Sequence, residues 1–211
     1  MIKIINFLRW KLGLTSEAAS QRALAAIPLS ASDLAIDCGA NVGAMTAILA
    51  RSGATVHAFE PNPHAFEVLS NRFKGQPNVI CHQAAIADQS GRVSLYLHEN
   101  SATDEVYWSN GSSLIQEKGN VSKDRSVEVE AVDLADFITG LGTRVRILKM
   151  DIEGAEFAVL ERLMATQTLD LCDHVFVETH DDKIPALRDI GIRVRSALRS
   201  YGARHVNLDW V

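Results

Sequence analysis

The chain has 211 residues, 47% of them hydrophobic and 22% charged, with a formal net charge of −5. That length and usage suit one compact globular domain and exclude a disordered or fibrous chain. The negative balance gives no electrostatic reason to expect a nucleic acid as partner, because phosphate binding needs clustered Lys and Arg.

Met1 to Trp10 is apolar but interrupted by charge, and no small-residue cleavage site follows it, so no export signal is read there. No stretch approaches the roughly 20 apolar residues needed to span a bilayer. Phe7, Leu8 and Trp10 suggest a helix packing on its own domain, with a peripheral membrane contact as the alternative. Cys38, Cys81 and Cys172 are widely separated and odd in number, which suits neither a disulfide framework nor a zinc knuckle and fits a reducing, cytoplasmic setting. The clustered Arg188, Arg193, Arg195, Arg199 and Arg204 are read as a solvated helix face.

Thr15 or Ser16 can cap a helix running to about Ala26, and Pro28 ends it. Residues 1–30 are therefore expected to be an N-terminal helical extension on an α/β domain spanning 31–211. Short apolar runs then alternate with amphipathic segments, the pattern of a doubly wound, mostly parallel sheet. Leu34–Asp37 is the first strand, Gly43–Ala50 a helix stopped by Gly53, and Thr55–Phe59 the second strand. A helix starts at Pro63 and carries Phe66, Leu69 and Phe73 on one face.

Asn78–His82 reads as a third strand, while Val93–Leu97 and Val127–Val132 alternate like half-exposed strands outside the main crossover pattern. The segment 98–126 between them is polar, and Asn100–Asp124 is expected to be a mobile cover over the site, anchored by Tyr107, Trp108 and Leu114. Val145–Met150 is the fourth strand, Ala155–Met164 a helix and His174–Glu178 the fifth strand. A last helix from about Ile184 to Tyr201 leads to a final strand, His205–Val211.

The sharpest local signal is Asp37-Cys38-Gly39-Ala40-Asn41-Val42-Gly43 at the turn from the first strand into a helix, followed by Glu60-Pro61-Asn62 at the end of the second strand. Gly39 and Gly43 permit a tight turn, and an acid at Glu60 can accept hydrogen bonds from both hydroxyls of a ribose. The turn thus suits an adenosine-containing ligand. A nicotinamide dinucleotide uses the same logic, but its G-x-G-x-x-G pattern is broken here by Asn41 and Ala44. The Asp37 carboxylate would repel a pyrophosphate and attract the ammonium of a methionine moiety, directly or through water, which favours S-adenosylmethionine.

Leu148-Lys149-Met150-Asp151-Ile152-Glu153-Gly154-Ala155-Glu156 resembles the K-x-D-x-E-G-x-E signature of FkbM-type methyltransferases. The D-x-G-A-N-x-G and F-E-P-N runs, Gly111-Ser112-Ser113-Leu114 and Val177-Glu178-Thr179-His180 resemble that family in the same order, over roughly residues 34–180. The resemblance implies a class I, Rossmann-like methyltransferase that O-methylates a small molecule or saccharide with S-adenosylmethionine as donor. Asp37, Gly39, Ala40, Asn41, Gly43, Glu60, Pro61, Asn62, Ala85, Ile86 and Asp151 are then the expected donor-site residues. Class I enzymes usually finish with a hairpin of two strands, and this chain offers one candidate strand, which leaves the acceptor pocket and oligomeric state open.

Asp151 follows the fourth strand at the carboxyl edge, where open α/β sheets bind ligands, and is the first candidate for the base that takes the acceptor proton. Its alternative role is to cap the next helix. Glu178 and His180, two apart on an extended segment, point to one face and form a candidate acceptor site, with His180 the second candidate base. Glu153 and Glu156 suit a first helical turn whatever the function. The Asp151, Glu178 and His180 trio lacks the close spacing of a metal motif, so no metal is expected. The rival functions are an NAD-dependent oxidoreductase and a donor-binding module without an acceptor.

Overall fold

The structure is a computed structural model that describes residues 16–116 and 118–210. Phe7, Leu8 and Trp10, with the packing or membrane role expected of them, lie outside the described residues. Helix α1 (Ser16–Ala25) is followed by β1 (Leu34–Cys38), α2 (Ala44–Leu49), β2 (Thr55–Phe59), α3 (Pro63–Arg72) and β3 (Val79–His82). Then come β4 (Ala85–Ala87), β5 (Gly91–His98), β6 (Val121–Asp133) and α4 (Leu134–Leu141). The chain continues through β7 (Val145–Met150), α5 (Glu156–Ala165), β8 (Cys172–Glu178), α6 (Arg188–Tyr201) and β9 (Val206–Trp210).

Six strands form one sheet in the order β3-β2-β1-β7-β8-β9, and every neighbouring pair is parallel. Parallel strands must be covered on both faces, and their residues are apolar on both sides. Ile36, Leu148 and Val175 pack under α4, α5 and α6, while Ala35, Val56 and Ile147 pack with Leu24 of α1 and Met45 and Leu49 of α2. This is the doubly wound α/β architecture expected.

Strand order reverses between β1 and β7. A crevice opens at the carboxyl ends of the strands on either side of such a switch point. Backbone hydrogen bonds continue past the strand ends there: Gly39 and Ala40 N–H donate to Phe59 O, Glu60 N–H to His82 O, and Asp151 N–H to Cys38 O.

Two features differ from the sequence expectations. Strand β6 begins at Val121, so part of the polar 98–126 segment is strand; β6 pairs antiparallel with β5 and parallel with β4 in a second, three-stranded sheet. Helix α4 was not foreseen, although its signals are present: Asp133 accepts from Ala135 and Asp136 N–H as a cap, and Gly142 ends the helix with φ 64°. Beyond β8 the sheet ends, as expected, on one strand, β9, which is parallel to β8, with Trp210 packed on Phe176. Helix α1 lies against this edge, where Ser20 Oγ donates to Asp209 O at 3.4 Å.

Candidate active site

A cavity of about 330 Å³ occupies the switch-point crevice. Gly39, Asn41, Glu60, Pro61, Ala85, Ile86, Asp151 and Glu178 line it, all of them among the residues expected from sequence. Ser109, Ser112, Ser113 and Leu114 close one side.

At the β1–β2 end, Glu60 is only 5% exposed. Its Oε2 accepts the Asn41 N–H at 2.9 Å and its Oε1 accepts the Asn62 N–H at 2.8 Å. These bonds aim the carboxylate along the turn and leave each oxygen able to accept once more. Burial pushes its pKa up to about 7, against the two N–H donors that favour the ionised form. Gly39 adopts φ 75° and lies so close to the Asp151 carbonyl that a side chain would overlap it.

The remaining donor-site candidates build this end from behind the cavity wall. Asp37 is fully buried; Thr46 Oγ1 donates to its Oδ2 at 2.6 Å and the Lys149 ammonium lies 3.3 Å from its Oδ1. From there its carboxylate acts on the turn through these internal partners. Ala40 packs with Ala58, Leu69 and Phe73, and Gly43 faces Phe73 and Leu69. Asn62 caps α3 through His64 and Ala65 N–H and donates to Ser112 Oγ at 3.3 Å.

Lys149, unassigned from the sequence, is 5% exposed beneath the turn and donates to Gly39 O at 3.0 Å. Burial disfavours its charge, but the carboxylates of Asp37 and Asp151 outweigh that and raise its pKa above the ordinary lysine value. It ties the glycine turn to the β7 end.

At the β7–β8 end the structure separates the two roles considered for Asp151. Its side chain remains 30% exposed toward the cavity, and α5 has no side-chain cap at its first residue. The turn before α5 is instead held by Glu156, fully buried, whose Oε1 accepts from Ile152 N–H and whose carboxylate accepts from Gly154 N–H. Sequence reasoning treated Glu156 as a generic first-turn acid. Only its tertiary surroundings give it this position.

Glu156 Oε1 also meets His180 Nδ1 at 2.9 Å. His180 is 1% exposed, and its Nε2 faces Glu153 at 3.2 Å, Glu178 at 3.6 Å and Asp151 at 3.9 Å. Burial works against a proton there, but the Glu156 hydrogen bond and the surrounding carboxylates overcome it and raise the imidazole pKa. Lys118 pairs with Glu153 and donates to Gly111 O, and Lys183 donates to Glu178 at 2.8 Å. Glu153 itself stands at φ 60°, an uncommon conformation for a residue with a side chain.

The polar segment is seated as a wall. Ser101, Ser109, Ser112, Ser113 and Lys118 are buried, and Tyr96 and Ser113 exchange backbone hydrogen bonds at 2.9 and 3.0 Å. Asn41 Nδ2 donates to Ser109 Oγ at 3.0 Å, which ties the wall to the glycine turn. Of the three expected anchors, Trp108 stacks on His98 with centroids 4.4 Å apart and Leu114 lines the cavity. Tyr107 is 66% exposed and anchors nothing in the core. The arginine cluster on α6 is largely the solvated face expected, except that Arg195 donates to both oxygens of Asp181 at 2.6 and 3.0 Å.

Comparison with known proteins gives a match to the Methyltransferase FkbM domain over residues 37–204. Similar proteins include "Methyltransferase 1" of Beauveria bassiana, 27% identical over 70% of this chain and 65% of that protein. "Hexuronic acid methyltransferase AglP" of Haloferax volcanii is 28% identical over 70% of this chain and 56% of its own length. "31-O-demethyl-FK506 methyltransferase FkbM" of Streptomyces tacrolimicus is 28% identical over 64% of this chain and 60% of its own length. The matched region thus spans 56% to 65% of these relatives. The chain belongs to the FkbM methyltransferase family.

Proposed function

We propose that this chain transfers the methyl group of S-adenosylmethionine to a hydroxyl of a small molecule or saccharide. The observation that carries the proposal is the placement of Glu60 and Asp151 on the two sides of β1, at the carboxyl ends of β2 and β7, facing one cavity. That cavity falls in the size range of small-molecule sites. The donor fits the residues present: Glu60 supplies the acceptor pair for the ribose hydroxyls, Gly39 leaves the turn without a side chain, and Ala85 and Ile86 give an apolar wall for the base.

When bound, the sulfonium supplies a methyl group already activated toward displacement. The protein's contribution is orientation, worth on the order of 7–11 kcal/mol in favourable systems, and removal of the hydroxyl proton. Asp151, exposed to the cavity, takes that proton; His180, held by Glu156, is the second candidate. The names of two relatives, a hexuronic acid methyltransferase and a 31-O-demethyl-FK506 methyltransferase, support an oxygen acceptor. We assign the transferase domain to residues 31–211 and an extension to 1–30. Three cysteines without disulfide partners among the described residues support a reducing, cytoplasmic setting; no helix there is long and apolar enough to cross a membrane.

Equilibrium titration of the purified chain with S-adenosylhomocysteine and with NAD tests the donor. Binding of the first and not the second is expected; the reverse would make the chain an oxidoreductase. Mass spectrometry of a panel of hydroxyl compounds, uronic acids among them, tests the acceptor, and donor binding without any methylated product would leave a binding module.

A further inference from the structure

The β7 and β8 ends are adjacent in a parallel sheet, so the residues that follow them, Asp151, Glu178 and His180, converge although 27 and 29 positions separate the last two from the first. One ligand atom from each lies within 4.8 Å of the others. We propose that these three side chains bind a divalent first-row cation, with Mn²⁺ the best match, at the acceptor end of the cavity.

The histidine is the informative member. Its Nδ1 is taken by Glu156, a fully buried carboxylate whose oxygens already receive backbone N–H groups, so Nδ1 is the ring nitrogen that donates. That bond leaves Nε2 as the metal-facing atom, and a carboxylate behind a histidine is the usual support of a metal-bound imidazole. His180 is 1% exposed, and its Nε2 meets Glu153, Glu178 and Asp151 at 3.2 to 3.9 Å. Asp151 and Glu178 also line the cavity, so an ion held between them and the imidazole is reachable from it.

Charge points the same way. The carboxylates of Asp37, Asp151, Glu153, Glu156 and Glu178 are met by the ammoniums of Lys118, Lys149 and Lys183, which leaves two negative charges once an ion displaces the proton that these carboxylates favour on His180. A divalent ion balances them. Two carboxylates and one imidazole combine the oxygen preference of Mn²⁺ with a nitrogen ligand that Zn²⁺ and Fe²⁺ also accept. Lys183 is the group to be displaced from Glu178, and its side chain is 52% exposed on a flexible stem.

Three protein ligands leave open positions on the ion for water or an acceptor oxygen. Only that last role rests on the O-methylation proposal; cation binding stands on the side chains alone. Chelator-stripped protein is titrated with Mn²⁺ by electron paramagnetic resonance, and with Zn²⁺ by calorimetry, without donor or acceptor.

One bound ion per chain is expected, weakened about tenfold or more in Glu178→Gln and in Asp151→Asn, and about 10–100-fold in Glu156→Gln through the lost support of His180. Circular dichroism checks that each variant is folded, and Glu178→Gln, at a part-exposed strand end, keeps the test valid if the buried variant fails to fold. Absence of binding by both ions at millimolar concentration, or binding that is the same in Glu178→Gln and Asp151→Asn, overturns the proposal. Titration of the same stripped protein with S-adenosylhomocysteine separates the two hypotheses: donor binding without cation binding removes only the metal site, and cation binding without donor binding removes only the transferase reading.

Discussion

Gly39 of the first turn and Asp151 beyond the fourth strand of the sequence pattern are packed backbone against side-chain-free Cα, so that a methyl group on Gly39 would overlap the Asp151 carbonyl oxygen. The contact joins the glycine turn after β1 to the carboxyl end of β7. Gly39→Ala adds both that clash and a side chain at φ 75°. A loss of about 1–3 kcal/mol or more is expected from strain alone. Urea denaturation measures it, and a variant as stable as the parent would mean that the turn can open without cost.

Glu60 should make donor binding depend on pH. Its folded pKa of about 7 lies above the ordinary 4.5 because burial disfavours the charged form. Only the ionised carboxylate offers both oxygens to the ribose, so S-adenosylhomocysteine affinity should rise from pH 6 to pH 8 in the parent and stay flat in Glu60→Gln, by titration calorimetry. Stability runs the other way. Between 4.5 and about 7 the folded protein holds a proton that the unfolded chain has released, so this group's contribution falls as pH rises through that window, by up to about 3 kcal/mol. The Glu60→Gln variant should lack that fall.

Asp151→Asn should cost about 10²–10⁴-fold in single-turnover methyl transfer with little change in S-adenosylhomocysteine affinity. Because Glu156 holds the turn before α5, the substitution removes no helix cap and stability should hold. Near-normal transfer would remove Asp151 from the chemistry and leave His180 as the base to test.

Asp133 combines the cap of α4 with an ion pair to Arg162 at 2.9 Å. Asp133→Ala should destabilise by about 1–2 kcal/mol, mostly through the cap, because Arg162 is 38% exposed and its pair is screened by water. Thermal denaturation at two salt concentrations checks this: a loss that disappears at high salt would assign it to the ion pair.

The serine wall gives a prediction for hydrogen exchange. The Tyr96 and Ser113 amides, bonded to each other's carbonyls, should exchange slowly in ligand-free protein, while residues around exposed Tyr107 exchange fast. Lys118→Met should speed exchange at 111–115 by removing the ammonium that joins Gly111 O to Glu153. Uniformly fast exchange in the parent would restore the picture of a mobile cover.

The parallel sheet, the Gly39 turn and the Glu60 acid were determined by the sequence alone, because a βα unit places its glycines and its terminal acid at fixed short spacings along one stretch of chain. The same locality made α4 readable in principle, with Asp133 before an apolar run and Gly142 after it. What the tertiary structure decided is everything that depends on strands meeting at their ends. The Asp37 carboxylate, on a central strand, is buried and paired with Lys149, 112 positions away, a partner that no local spacing announces. Glu156 reads in sequence as an acid suited to any first helical turn and is in the fold the fully buried support of His180, because α5 turns that face inward against the β8 end. Spacing along the chain carries no record of which side chains a parallel sheet gathers at its carboxyl edge; adjacency between β7 and β8 does.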